Sequence, residues 1–556
     1  MGLVAAAVVP AAAQLPEDLV FDGNILFDND AGPWGTESGG AGCAGGLFTT
    51  TELGTVKFTR NRTVNPLLNS AAFDLVNPRW NPLAGSPALG QWGAAPIRAS
   101  AFDPWFQDVC HIGALPFTGG VDANDWTTGW TYYNQNGGAG RTDLDFGKAS
   151  VMVTTDVVAN ATWTNSNNYF LVGRIGVDST VTLTIQAGTA VLGSGVGSYL
   201  VIERGARLIA DGTRTNPIIF TSGQPLGSQN PGDWGGVVLQ GEGRANCSGT
   251  VSPGCGLTTA SAQCQSEGGA GVFGGVDDDF DKGIMRYARV EYSGFLIAPN
   301  NELNCLTMNA VGKNTTLEYL QADHGSDDGF EWFGGTARCR YLVATNNQDD
   351  NLDWQMGYRG FVQFAVVQVN GNFATDRGIE ADNNEFALNC EYRSNPVLSH
   401  LTLIGTGTLP GGTDGVHLRR GTAGVVVNSI VQGWTGRGLR VANAETFDNC
   451  AGAQPPLFTC DTSDAGPATR EDFVVSTGRN PTFGSTSISF HLPQAGHVVV
   501  RVFDAAGRMV DTLADRTFEA GAHTLPWSAA ERAAGAYFFR VDAGNRSANG
   551  RVLVLK

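Results

Sequence analysis

Six residues in the middle of the chain, Asp327-Asp328-Gly329-Phe330-Glu331-Trp332, recur 22 positions later as Asp349-Asp350-Asn351-Leu352-Asp353-Trp354. Weaker copies follow at Asp376-Arg377-Gly378-Ile379-Glu380-Ala381, Thr413-Asp414-Gly415-Val416-His417-Leu418 and Gly436-Arg437-Gly438-Leu439-Arg440-Val441. A period in the low twenties means small units stacked on one another, because so short a unit cannot bury its apolar face alone. Within each copy the alternation is that of a strand. Phe330, Leu352, Ile379, Val416 and Leu439 form one column, and Trp332, Trp354, Ala381, Leu418 and Val441 form another two residues on. Side chains two apart in a strand face the same way, so both columns point into a core. Glu331, Asp353, Glu380, His417 and Arg440 lie between them and point out. Gly329, Asn351, Gly378, Gly415 and Gly438 precede the strands, which predicts a corner with φ > 0. Spacings of 22, 27, 37 and 23 residues put extra loops after the second and third rungs.

Upstream, Val181–Ile185, Leu200–Ile202, Ala206–Ala210, Ile218–Phe220 and Val237–Leu239 are further short β-type runs, punctuated by Gly188, Asp211-Gly212 and Asn216-Pro217. Short strands with tight corners at this period fit a parallel β-helix better than a sandwich, here over residues 151–461. With 75 glycines and only 16% charged residues, the chain has many turns and no amphipathic helix of four turns. Residues 14–150 are irregular and rich in Gly, Pro, Asn and aromatics, which suggests a loop-rich N-terminal cap module packed on the start of the solenoid. A first coil otherwise exposes its apolar end and unpaired strand edges. Residues 462–479 read as a linker. Beyond it, over 480–556, Ile488–Leu492, Val498–Phe503, Ala536–Val541 and Arg551–Lys556 read as strands of an Ig-like β-sandwich. The expected fold is all-β.

The net charge of −18 argues against nucleic acid as a partner, because phosphate contacts need clustered Lys and Arg. Residues 1–13 look like the apolar part of a signal peptide ending Ala11-Ala12-Ala13, without a basic start, which suggests truncation there and export to the outer cell surface or beyond. No other run reaches the roughly 20 apolar residues of a membrane span. Ten cysteines, an even number, suit an oxidising compartment, and no Cys-x-x-Cys motif points to zinc or thioredoxin-type chemistry. Cys450 with Cys460 around a Pro-rich loop and Cys43 with Cys110 are candidate bridges. Cys247, Cys255 and Cys264 sit in a Gly/Ser-rich insertion, and spacing leaves the pairing open.

Two resemblances add to this reading. Asn480-Pro481, Ile488-Ser489-Phe490, Leu492-Pro493, Val500 to Asp504, Gly507-Arg508, Trp527 and Gly535 to Phe538 resemble the Ig-like domain of flagellar hook-capping proteins and of type IX secretion sorting domains. That resemblance implies contact with a secretion machinery and attachment or release at the surface. Leu183 to Thr189, Asn216 to Ser222, Gly232 to Gly236, Tyr287 to Tyr292 and Asp327 to Gly335 resemble a family of secreted bacterial right-handed parallel β-helix proteins without an established activity. No catalytic residues come with it.

The chemistry to be weighed lies on the acidic rungs. Rungs ~4.8 Å apart bring Asp327, Asp328, Glu331, Asp349, Asp350 and Asp353 together, and carboxylates so placed need a cation, an Arg or protons to coexist. Clustered carboxylate and carbonyl oxygens suit Ca²⁺. Arg377, in the column of Asp328 and Asp350, is the alternative partner, and a solvated acidic stripe is the bland reading. Asp277-Asp278-Asp279-Phe280-Asp281 is a second acidic run without the full calcium-loop pattern, and reads as an exposed turn. Carboxylates on adjacent rungs also have the reach for glycoside hydrolysis, and a lyase would add Ca²⁺ and a base such as Arg377 or His324. Trp126, Trp130, Tyr132 and Tyr133 suit either a glycan-stacking surface or packing. The expectation is a secreted cell-surface protein with a binding, adhesive or structural role, its partners being extracellular polysaccharide or cell-surface components. A polysaccharide lyase or glycoside hydrolase is the alternative.

Overall fold

The computed structural model describes residues 143–247, 263–298, 301–369, 376–406 and 414–447, most of 482–555, a strand at 475–477, and shorter stretches within 19–134. In the central region each coil contributes one strand to a ten-stranded parallel sheet and a longer one to a sixteen-stranded sheet. The five copies of the motif supply consecutive strands of the ten-stranded sheet: Phe330–Phe333, Leu352–Gln355, Arg377–Ala381, Asp414–Leu418 and Leu439–Val441. Their register is the one the sequence columns require, with Phe330 on Leu352, Leu352 on Ile379, Ile379 on Val416 and Val416 on Leu439. Both apolar columns, Trp332 and Trp354 included, are buried in one continuous core. Burying such a side chain contributes about 1.5–3 kcal/mol, so the columns hold the coils together.

Two details of the motif differ from expectation. The corner glycines Gly329, Gly378, Gly415 and Gly438, and Asn351, all keep φ outside the left-handed region. Glycine is needed there for space: a Cβ on Gly415 would lie 2.3 Å from Val431 Cγ1 and 2.8 Å from the Gly438 carbonyl. One on Gly378 would lie 2.5 Å from the Gly415 carbonyl. Left-handed backbone falls instead on an aromatic column of the longer strands, Tyr287, Tyr319, Tyr341, Phe364 and His400, with φ from 45° to 61°. Each bends its strand from one face of the coil to the next. Ring centroids stack at 4.3 Å for Tyr287–Tyr319, 4.3 Å for Tyr319–Tyr341 and 5.2 Å for Tyr341–Phe364. The strain of roughly 1–2 kcal/mol per residue is set against ring stacking of about 0.5–1.5 kcal/mol per pair plus burial.

Among the described residues, the N-terminal strands lie at the far end of the helix and not on the first coil. Leu19–Asp22, Ile25–Phe27 and Trp34–Thr36 pair in parallel with Gly424–Val427, Ile430–Gln432 and Leu439–Val441, and so form an additional rung at the far end of the helix. From there the chain returns along the outer face of the longer strands. Leu68, Trp80, Ile112, Trp130 and Tyr133 pack on Val343, Val366, Ile404 and Ile430. Side-chain amides of the coils meet its backbone: Gln368 Oε1 accepts from Trp80 Nε1 at 2.8 Å, and Gln321 Oε1 accepts from the Tyr132 amide at 2.7 Å. The fully buried Arg289 donates to the Trp130 carbonyl at 2.8 Å and pairs with Asp143 and Glu291. The apolar outward column of Val343, Val366 and Ile430 is what this segment covers. Trp130 and Tyr133 are therefore packing residues, which removes them from a glycan-stacking surface.

At the C-terminal end, Val475–Thr477, Ser485–Leu492 and Gly521–Ser528 form one antiparallel sheet. Met509–Phe518, Gly496–Phe503, Gly535–Ala543 and Arg546–Val554 form a second. Ile488, Phe490 and Trp527 of the first share a core with Val500, Phe539 and Val552 of the second. Val475–Thr477 lies inside the stretch expected as a linker. Cys247 and Cys264 are bridged, Cys110 and Cys390 are each disulfide-bonded, and Cys305 and Cys339 are free and buried. Residues 1–18, Cys43, Cys255, Cys450 and Cys460 lie outside the described residues. No helix of the described residues is long and apolar enough to cross a membrane.

Candidate cation site on the acidic ladder

Each acidic pair occupies the turn that leads into a ladder strand, so stacking the strands stacks the pairs. The Asp350 amide donates to Asp328 Oδ1 at 2.9 Å, and the Arg437 amide donates to Asp414 Oδ1 at 2.8 Å, the same rung-to-rung cap. All six expected acids come together. Their oxygens fall into overlapping groups within 4.8 Å: Asp327 with Asp328 and Asp349, and Asp328 with Glu331 and Asp353. Asp349 and Asp350 join Asp376, and Asp350 and Asp353 join Glu380. Asp349 is exposed and Asp327 half-buried, whereas Asp328, Glu331, Asp350 and Asp353 are buried. The outward column is thus covered, contrary to the sequence expectation. The insertion after Cys247 lies over this face, where Ser266 Oγ accepts from Asn309 Nδ2 at 2.7 Å and the Ala270 carbonyl accepts from Gln240 Nε2 at 3.2 Å.

Charge divides the ladder in two. Arg377 pairs with Asp350 at 3.3 Å, with Asp376 at 2.9 Å and with Glu380. Arg419 pairs with Glu380 and with Asp382 at 2.8 Å, and Arg420 pairs with Asp382 at 2.8 Å. Among the described residues Asp327, Asp328, Glu331 and Asp353 form no ion pair. Burial first, and neighbouring carboxylates second, push Asp328, Glu331, Asp350 and Asp353 well above the usual carboxylate range. Glu331 accepts from Gln355 Nε2 at 3.0 Å and from Asn304 Nδ2. Among the described residues, buried Asn304 Oδ1, Asp350 Oδ1 and Asp353 Oδ1 have no hydrogen-bond partner. Both ring nitrogens of buried His417, paired in register with Glu380, also lack one.

Asn304 was not legible as a site residue. It occupies the Asp328 position one rung earlier, since Leu306 pairs with Phe330, but Cys305 replaces the corner glycine and hides the copy. The surviving signal is the alternation of Leu306 and Met308 around Thr307. Glu267 is half-buried on the covering insertion, where desolvation and then Glu302 and Glu385 raise it to about 7. It too lies outside the repeat. Of the two bases considered for a lyase, Arg377 is held in ion pairs and raised further in pKa by its carboxylates, against the effect of burial. His324 Nδ1 meets the buried Asp323 at 2.6 Å. The second acidic run is an ion-paired turn, Asp278 with Arg244, Asp279 with Lys313 at 2.5 Å and Asp281 with Arg207 at 2.7 Å.

No curated protein matches the chain. Among solved structures it is distantly similar to the enzymatically active domain of tailspike protein 2 of bacteriophage CBA120. Identity is 8% over 69% of this chain and 72% of that one, with a TM-score of 0.21. The model of the pectate-lyase-like β-helix domain matches residues 154–464. With more than half its length matched and the coils stacked as described, the chain belongs to this β-helix family.

Proposed function

We propose that the protein is a secreted, cell-surface β-helix protein with a binding or structural role, whose coils are stapled by Ca²⁺ at Asp328, Glu331 and Asp353. The observation that carries this reading is the pair of buried oxygens, Asp353 Oδ1 and Asn304 Oδ1, without partners beside carboxylates without cations. Oxygen-rich, flexible ligand sets suit Ca²⁺, and Asp327 and Asp349 extend the set towards solvent. Extracellular polysaccharide is the partner class, and the C-terminal pair of sheets serves as an Ig-like export or attachment unit. The test is thermal unfolding of chelator-treated protein with and without added Ca²⁺. At a hundred times Kd, Ca²⁺ should add about 2.7 kcal/mol. An unchanged melting temperature sinks the reading.

A second reading, a polysaccharide lyase or glycoside hydrolase, is favoured by one observation, the imidazole of His324 held by Asp323. Burial of four of the six ladder acids weighs against it, because a substrate has to reach them. A polysaccharide panel separates the two: a binder retains glycan unaltered, whereas an enzyme releases new reducing ends or ultraviolet-absorbing unsaturated products.

A further inference from the structure

Among the described residues no strand covers the first coil, whereas the last coil is covered. Ala149–Val153 pairs only with Asn167–Leu171, and Ala161–Trp163 only with Thr182–Ile185. Among the described residues no strand lies against their outer edges. The opposite end has its extra rung, on which Arg62 pairs once more with Ile25. Edge strands are ordinarily blunted by charge, proline or a bulge. Residues 149–163 contain no proline and one charge, Asp156, which lies 3.7 Å from Arg174 of the next coil. Val151, Met152 and Val158 are 37%, 56% and 70% exposed.

The occupant follows from charge and symmetry. A chain of net charge −18 repels its own copies over most of its surface, and the first coil, whose one charge, Asp156, faces Arg174, is a weakly charged patch on it. A twofold axis between Val151 and Met152 would pair this strand with itself in antiparallel fashion, using the open N–H and C=O groups and setting Val151 of each copy opposite Met152 of the other. We propose that the first coil is a self-association surface, at which two copies of this chain join end to end through their Ala149–Val153 strands. The pairing is closed by its symmetry, so it stops at the dimer.

The experiment is sedimentation equilibrium of the full chain over a hundredfold concentration range, beside Met152→Lys and Val158→Lys. Both variants place charge at exposed side chains, and circular dichroism melts establish that they fold. The expected result is a monomer–dimer equilibrium, weakened at least tenfold by Met152→Lys. Val158→Lys, outside the strand but on the same end, should weaken it less. A wild-type monomer throughout the range overturns the proposal. So does a dimer that both folded variants leave unchanged, or an open polymer in place of a dimer.

Discussion

Asp353 stands directly on Glu331 in the next rung, both buried, and neither carboxylate forms an ion pair among the described residues. Two full charges so placed would repel by about 3 kcal/mol at an effective dielectric near 20. Asp353→Asn should therefore stabilise the metal-free protein, by up to about 3 kcal/mol, and abolish most of the gain from Ca²⁺. Opposite signs in chelator and in Ca²⁺, read from two denaturant titrations, are the expected outcome. A loss of stability in both would mean that the carboxylate acts only through packing.

Acidity should act in the same direction as that substitution. Glu267 is raised to about 7, chiefly by burial and then by Glu302 and Glu385, and Asp328, Glu331 and Asp353 are raised as well. A raised acid binds a proton in the folded state that the unfolded state has already lost. Between an ordinary carboxylate pKa of about 4 and the raised value of about 7, the folded chain holds more protons, so its stability falls as pH rises through that window. Buried His111, lowered to about 4 by burial, has the opposite slope between about 4 and its ordinary value near 6.5. The metal-free protein should accordingly gain stability from pH 8 to pH 7, where the raised acids take up protons and histidine, at its ordinary value near 6.5, is still mostly neutral in both states. Added Ca²⁺ should flatten that slope.

The corner glycines offer a test of space against backbone conformation. Gly415 has an ordinary φ, so an Ala there carries no backbone strain, yet its Cβ meets Val431 Cγ1 at 2.3 Å. Gly415→Ala should cost about 1–3 kcal/mol through overpacking. If Gly415→Ala unfolds at the wild-type denaturant midpoint, the close approach is not what selects glycine.

Arg289 ties the returning N-terminal segment to the coils through Asp143, Glu291 and the Trp130 carbonyl. Replacing it with Ala strips two buried carboxylates of their guanidinium, a loss of about 3–5 kcal/mol. Hydrogen exchange should then rise first around residues 125–134. Loss confined to the C-terminal sheets would contradict this account.

The ladder was legible because a core column and its register follow from side-chain period alone, and every pairing from Phe330 to Leu439 agrees. The burial of Glu331 was not, since its cover comes from an insertion outside the repeat. The aromatic column from Tyr287 to His400 was equally hidden. Non-glycine residues are disfavoured at φ > 0, and only stacking between coils reveals why Tyr319 and Tyr341 tolerate it. The pairing of the N-terminal strands with the last coil escaped notice because their partners lie some four hundred residues away. The Ser429 amide donates to Asn24 Oδ1 across a separation of 405 residues.

That separation bears on how the chain is made. A solenoid ordinarily grows coil by coil behind the ribosome, each unit needing only the one before it. Here residues 19–36 leave the ribosome some four hundred residues before the strands they pair with, and close the last coil. At ordinary synthesis rates they wait roughly 20–80 s for their partners. Until then the strand edges of Leu19–Asp22 and Ile25–Phe27 stand open. Holding them back from early pairing is a task for whatever accompanies the nascent chain, and removing them would leave the finished helix with a raw end.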